Sequence, residues 1–229
     1  MTLPSRGHAL RASATIAATV LLLLSTAAFG RHQTSRAAGP RPDSFDDLYL
    51  RGQRANAAIK TLTAHFTESS TSSLLTRPIV SHGRLAIERP SRVILRYTEP
   101  EQRVIIIDGN KMTMSWPSHN VRQVTDVGTA QGRVQKYFVN GTAADLRRQF
   151  DIDMHGDGEA RPNAYYVSMA PKRKQMRETL TRLELWVGRA SMLLEGMKMT
   201  FANGDVKTMT FEDVVPNASI DARTFSLTP

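Results

Sequence analysis

The chain has 229 residues, which allows one domain or two small ones and is long enough to bury a full core. It carries 30 Lys and Arg against 21 Asp and Glu, a formal net charge of +9, and no cysteine. The absence of cysteine excludes a disulfide framework, a thiolate metal site, a cysteine nucleophile and the acylated first residue of a bacterial lipoprotein.

Residues 1–30 read as a secretory signal peptide. Arg6, His8 and Arg11 form a basic n-region, Ala12 to Ala28 is an apolar run without a charge, and Ala28-Phe29-Gly30 offers the small residues a signal peptidase reads. The alternative is an uncleaved anchor, because about 17 weakly apolar residues approach the minimum for a membrane span. Export predicts a periplasmic protein. Removing the signal takes away Arg6 and Arg11 from the 30 basic residues and none of the 21 acids, so the mature formal charge is +7. A basic balance suits nucleic acid, an anionic membrane face or an acidic protein partner. Export, together with the lack of an aromatic-rich RNA-binding signature or a helix-turn-helix pattern, argues against nucleic acid.

Residues 31–43 carry Ser, Thr, Gly and two prolines and read as a flexible leader, so the domain is expected over residues 44–229. A helix is predicted to open at Ser44, whose hydroxyl can cap the free amides, with Asp47 three residues on and an apolar face of Phe45, Leu48, Ala55, Ile59 and Leu62. Alternation then begins, with Leu62, Ala64 and Phe66 on one side, and the polar run Ser69 to Ser73 predicts a turn or loose edge. Gly83 to Pro100 is the clearest signal in the chain. Leu85 and Ile87 alternate with Arg84, Ala86 and Glu88, and after the Arg89-Pro90 corner Val93, Leu95 and Tyr97 share a face opposite Arg92, Arg96 and Thr98. A third strand, Val104 to Ile107, closes on the Asp108-Gly109 turn, and Met112, Met114 and Trp116 mark another, ended by Pro117.

Asn120 to Asp126 is predicted as a short strand. Between Gly128 and Phe150 the period changes to that of helices: Val134, Tyr137 and Phe138 suit one, and Thr142 can cap a second whose Ala143, Leu146 and Phe150 lie together opposite Arg147 and Arg148. Two short amphipathic helices within a run of strands suggest a lid. Asp151 to Glu159 fits the calcium-loop pattern only at Asp151, Asp153 and Gly156, with His155 and Pro162 where acidic ligands are needed, and so reads as a polar turn. The remainder predicts a β-meander over Tyr165–Met169, Leu180–Val187, Met192–Phe201 and Val206–Phe211, with Lys172-Arg173-Lys174 and Arg177 in a loop that either is solvated or docks on anionic lipid or an acidic partner.

No catalytic constellation is present in the sequence: no nucleophile elbow, zinc-protease motif, Walker loop or dinucleotide fingerprint, and the mature histidines are scattered. No enzyme activity, metal or cofactor is therefore expected. Methionine use is unusual. Met112, Met114, Met169, Met176, Met192, Met197, Met199 and Met209 all fall in the sheet region, where a flexible thioether suits either an irregular core or a surface that accepts varied apolar guests.

The order Phe66-x-Glu68, Gly83-x-Leu85, Arg89-Pro90, Tyr97-x-x-Pro100 and Asp108-Gly109 resembles the N-terminal half of the LolA family of outer-membrane lipoprotein carriers. The C-terminal half is similar in Leu183-x-Leu185-x-Val187, Gly204-Asp205, Phe211-x-Asp213-Val214, Asn217 and Phe225-x-Leu227-x-Pro229. The resemblance implies a mainly β (α+β) fold: an antiparallel sheet curved into an incomplete half-barrel, with helices forming a lid over an apolar cavity. It implies a monomeric carrier of acylated lipoprotein or other lipid cargo, which works without a cofactor between an inner-membrane exporter and an outer-membrane receptor. Arg89 matches the arginine that latches the lid in the family. The implied cavity lining is Phe66, Leu85, Ile87, Val93, Leu95, Tyr97, Met112, Met114, Trp116, Met197, Met199 and Phe211, under lid helices bearing Val134, Phe138, Leu146 and Phe150. Two departures stand out: Glu68 replaces a usual Gln, and Met112-Thr113 with Ser115 replaces an aromatic run. They leave open a same-fold carrier of a different lipid, such as a glycolipid or polyketide lipid, and a lipoprotein-sensing regulator.

Overall fold

Among the described residues eleven antiparallel strands form one sheet. The computed structural model describes residues 44–129, 132, 141–155 and 161–227. The signal peptide, the leader, and Val134 and Phe138 of the expected lid lie outside the described residues.

The order is two meanders joined in the middle. The first runs outward through β1 (Thr61–Thr71), β2 (Ile79–Glu88), β3 (Arg92–Glu99), β4 (Arg103–Asp108), β5 (Lys111–Trp116) and β6 (Val121–Asp126). The second runs back through β7 (Phe150–His155), β8 (Ala164–Pro171), β9 (Leu180–Gly188), β10 (Leu194–Phe201) and β11 (Val206–Pro216), which pairs with β1. Because β6 and β7 are the two outer edges, the chain between them must cross from one edge of the sheet to the other. That connection contains helix α2 (Ala143–Gln149), while helix α1 (Phe45–Asn56) precedes β1. Short helical turns at Pro117–His119, at α3 (Lys174–Arg177) and at Ala222–Phe225 complete the described elements.

Local chemistry accounts for the helix ends. Ser44 Oγ accepts from the Asp47 amide at 3.2 Å, and Asp46 and Asp47 occupy the first turn, where the helix end is positive. Thr142 and Asp145 form a reciprocal capping box at α2. α1 stops at Asn56, earlier than the apolar spacing predicts. Ile59 is buried beyond the helix, Leu62 belongs to β1, and Ala55 faces solvent.

Three strand assignments also differ from expectation. Ser69 and Ser70 continue β1 between β2 and β11, and Thr71 extends it against β11 alone, because a strand is held by its ladders whatever its side chains. Asp151 to His155 is part of edge strand β7, with Ile152 and Met154 packed against the core and the aspartates exposed. Phe150 is the first residue of β7 and only caps α2. Met176 and Met192 lie in α3 and in the β9–β10 turn, whereas the other six named methionines are buried within strands.

The sheet has one strongly apolar face. Side chains from β1 to β5 and from β8 to β11 converge there in a single cluster, closed by Phe45 and Leu48 of α1 and by Ala143 and Leu146 of α2. The opposite face has a small cluster of its own, Ala86, Ile94 and Val104, covered by Ile220, Phe225 and Leu227 from the C-terminal segment. Arg96 holds that segment by donating to the carbonyls of Thr224 and Ser226, and the Arg92 guanidinium lies 4.3 Å from the Phe225 ring centroid.

Candidate functional site

Eleven of the twelve residues expected to line a cavity are brought together on the apolar face. Phe66, Leu85, Ile87, Val93, Leu95, Tyr97, Met112, Met114, Met197, Met199 and Phe211 are all buried in one cluster, and Trp116 is half-buried at its margin. A void of ≈ 30 Å³ remains under the end of α1, room for little more than a water molecule. Ile59, Leu85, Ile87, Met192 and Phe211 line it, with Arg89 at the rim. A larger cleft of ≈ 900 Å³ lies on the other side of the sheet, where Arg84, Arg96, Asp213, Asp221 and Arg223 stand beside Ala86, Ile94 and Val215.

Arg89 lies at the β2–β3 corner, beside the start of β1. Its amide donates to the Lys60 carbonyl at 2.9 Å, and its guanidinium Nη1 donates to the carbonyl of Asn56, the last residue of α1, also at 2.9 Å. Among the described residues Nε and Nη2 of the same side chain are buried without an acceptor, so the group is only partly satisfied there. Burial accordingly pulls its pKa down to about 10, still far above neutrality. Asn56 makes a second tie: its Nδ2 donates to the Met192 carbonyl in the β9–β10 turn at 3.1 Å. The end of α1 is thus pinned to both arms of the sheet, by Arg89 on one and Met192 on the other. Sequence reasoning finds Arg89 and misses Asn56 and Met192. A backbone carbonyl used as an acceptor leaves no signature in residue type.

At the other end of the same face, roughly 20 Å along β1 at 3.3–3.4 Å per residue, lies a buried ionic cluster. Glu68 is 3% exposed. Its carboxylate accepts from the Tyr97 hydroxyl at 2.8 Å and from Ser70 Oγ at 3.3 Å, and pairs with Lys207 Nζ at 3.0 Å and Arg103 at 3.7 Å. Desolvation opposes the charge, but Lys207 and Arg103 more than offset it and hold the Glu68 pKa below the ordinary glutamate value. Burial pushes the Tyr97 phenol up, and the Glu68 charge adds to the shift. Arg103 stacks 3.9 Å from the Tyr97 ring centroid, and Phe66 meets Tyr97 edge-on at 4.9 Å. Gly83 makes this packing possible, because a Cβ there would strike the Phe66 ring and the Arg96 carbonyl.

The edge-to-edge connection is anchored as well. Tyr49 of α1 donates to the Gly141 carbonyl at 3.0 Å, and Lys172 donates to the Arg147 carbonyl at 2.8 Å while pairing with Asp151 at 3.2 Å. Lys172 therefore has a structural job within the basic run Lys172-Arg173-Lys174. Among the described residues no group of three or more His, Asp or Glu is placed to hold a metal ion.

An open antiparallel sheet with one apolar face, covered by a pinned N-terminal helix and an edge-to-edge connection, is also what the sequence comparisons point to. Residues 57–228 match the family described as outer membrane lipoprotein carrier protein LolA. The chain belongs to the LolA family. It is 27% identical over 173 residues to an outer-membrane lipoprotein carrier protein of Methylibium petroleiphilum, covering 76% of this chain and 81% of that protein. A protein of the same description from Dechloromonas aromatica is 25% identical over 170 residues, covering 74% and 78%. Among solved structures, the Pseudomonas aeruginosa MucA/MucB complex superposes with a TM-score of 0.51 at 15% identity, over 78% of this chain and 60% of that one. An uncharacterised conserved protein from Thermus thermophilus also gives 0.51, at 9% identity over 80% and 93%. At such identities these two structures speak for the fold alone.

Proposed function

We propose that this LolA-family protein is a non-enzymatic periplasmic carrier, exported by residues 1–30, which shields the acyl chains of lipoproteins on the apolar face of its sheet. It takes them from an inner-membrane exporter and passes them to an outer-membrane receptor. The observation that carries the reading is the pinning of α1 over that face through Arg89, Asn56 and Met192. Two polar ties hold the helix end, and among the described residues one of them leaves two buried donors unsatisfied, so the cover can be lifted by breaking few bonds. Lifting it exposes apolar side chains that a guest can cover again at ~0.8 kcal/mol per buried CH₂. Six buried strand methionines give the surface the adaptability needed to fit around chains of different shape.

In this account Arg89 is the latch. Its hydrogen bond to the Asn56 carbonyl contributes about 1.5–3 kcal/mol as a bond from a charged donor, a differential large enough to reverse a near-balanced equilibrium between closed and loaded forms. Arg89→Leu is expected to load acylated lipoprotein and to fail in releasing it. A purified handover assay, with donor vesicles, carrier and immobilised receptor, checks this. Transfer by the variant at the wild-type rate would remove the latch from the account.

A further inference from the structure

The ionic cluster at the far end of the apolar face has more positive charge than its own carboxylate uses. Lys207, 7% exposed, lies at 3.0 Å from Glu68 and neutralises it. Arg103 brings a second cation to the one carboxylate, more loosely held. Its closest approach to Glu68 is 3.7 Å, too long for a good hydrogen bond, and its Nε is buried without an acceptor among the described residues. The side chain keeps 20% of its surface exposed, and the Tyr97 ring fixes the plane of its guanidinium. A planar, oriented guanidinium with spare donors is suited to a carboxylate or phosphate, which it can meet with two parallel hydrogen bonds. Its position supplies the second half of the match: Phe66, Tyr97 and the continuous apolar cluster run from it toward the Arg89 end.

We infer that Arg103, backed by Lys207, is a binding site for the anionic head of an amphiphile, a carboxylate or phosphate, whose apolar chain lies along the concave face toward Arg89. The inference rests on the carrier reading and goes beyond it by assigning a charge preference to the cargo. Glu68 is the built-in competitor. Its carboxylate draws on the same cations, weakens the hold on an incoming anion and so favours release.

The test is displacement of an apolar fluorescent probe from the purified mature chain by palmitate, hexadecyl phosphate, hexadecanol and inorganic phosphate. Palmitate and hexadecyl phosphate are expected to displace the probe about tenfold more tightly than hexadecanol, and inorganic phosphate not at all. Arg103→Gln should bring the anion-to-alcohol ratio to near one, Arg103→Lys should restore part of it, and Glu68→Gln should widen it. Equal affinities in the wild type, or a preference that Arg103→Gln leaves intact, would overturn the assignment. Displacement by inorganic phosphate as effective as that by hexadecyl phosphate would overturn the amphiphile in favour of a free anion. Failure of palmitate, hexadecyl phosphate and hexadecanol alike would instead overturn the carrier reading on which the assignment rests.

Discussion

The two ends of the apolar face solve the problem of a polar group beside a hydrophobic core in opposite ways. At the Glu68 end the carboxylate has a hydroxyl donor from Tyr97, a second from Ser70 and a lysine at 3.0 Å, all drawn from paired strands of the sheet. At the Arg89 end a half-buried arginine reaches one carbonyl at the tip of a helix and, among the described residues, leaves Nε and Nη2 without acceptors. The first arrangement is costly to disturb, because removing one partner strands a buried charge. The second is already incomplete, and a single hydrogen bond from the guanidinium holds the helix end there. In the proposed mechanism one end fixes the sheet while the other lets its cover move.

Lys207→Met attacks the fixed end most directly. It leaves Glu68 buried beside a cation at 3.7 Å only, and a loss of about 3–5 kcal/mol is expected in urea unfolding. Gly83→Ala should cost about 1–3 kcal/mol by forcing the Phe66 ring and the neighbouring strand apart. At the mobile end, Asn56→Ala removes the tie to Met192 and should cost only about 1 kcal/mol in the same assay. It should also increase the rate at which an apolar probe enters. Equal stability losses at the two ends would break the contrast.

The smallest effect is on pH dependence. Because the folded Glu68 pKa lies below its ordinary value of 4.5, its charge stabilises the fold above that pH, and the contribution is lost as pH falls through the folded value. Acid titration of stability should therefore be flatter in Glu68→Gln below about pH 4.5. An unchanged acid limb would mean that other carboxylates govern it.

Most of the strands were legible because period-two alternation is set by which side chains face the core. Leu85 and Ile87 with Val93, Leu95 and Tyr97 define their strands and the Arg89 corner without further help. The pattern fails where the ladder rather than the side chains dictates structure. Ser69 to Thr71 look like a turn but lie in a central strand, and Asp151 to His155 look like a loop but pair with β8. Ala86 was assigned to a polar face, yet with Ile94 and Val104 it is buried on the outer side of the sheet, because the C-terminal segment returns to cover it. At the site, the Arg89-Pro90 motif marks the β2–β3 corner in the sequence, whereas of the ionic cluster only Glu68 stands out, as a departure from the family pattern. Lys207 and Arg103 reach Glu68 from strands far apart in sequence, a proximity that register alone creates.

The central claim is that α1 must separate from the sheet for cargo to enter. The absence of cysteine makes this directly testable, since Asn56→Cys with Met192→Cys places two unique thiols at the tie between helix and turn. A short reducible thiol cross-linker would hold the cover closed. Loading of acylated lipoprotein should be lost in the cross-linked protein and regained on reduction. Equal loading before and after reduction would contradict the account.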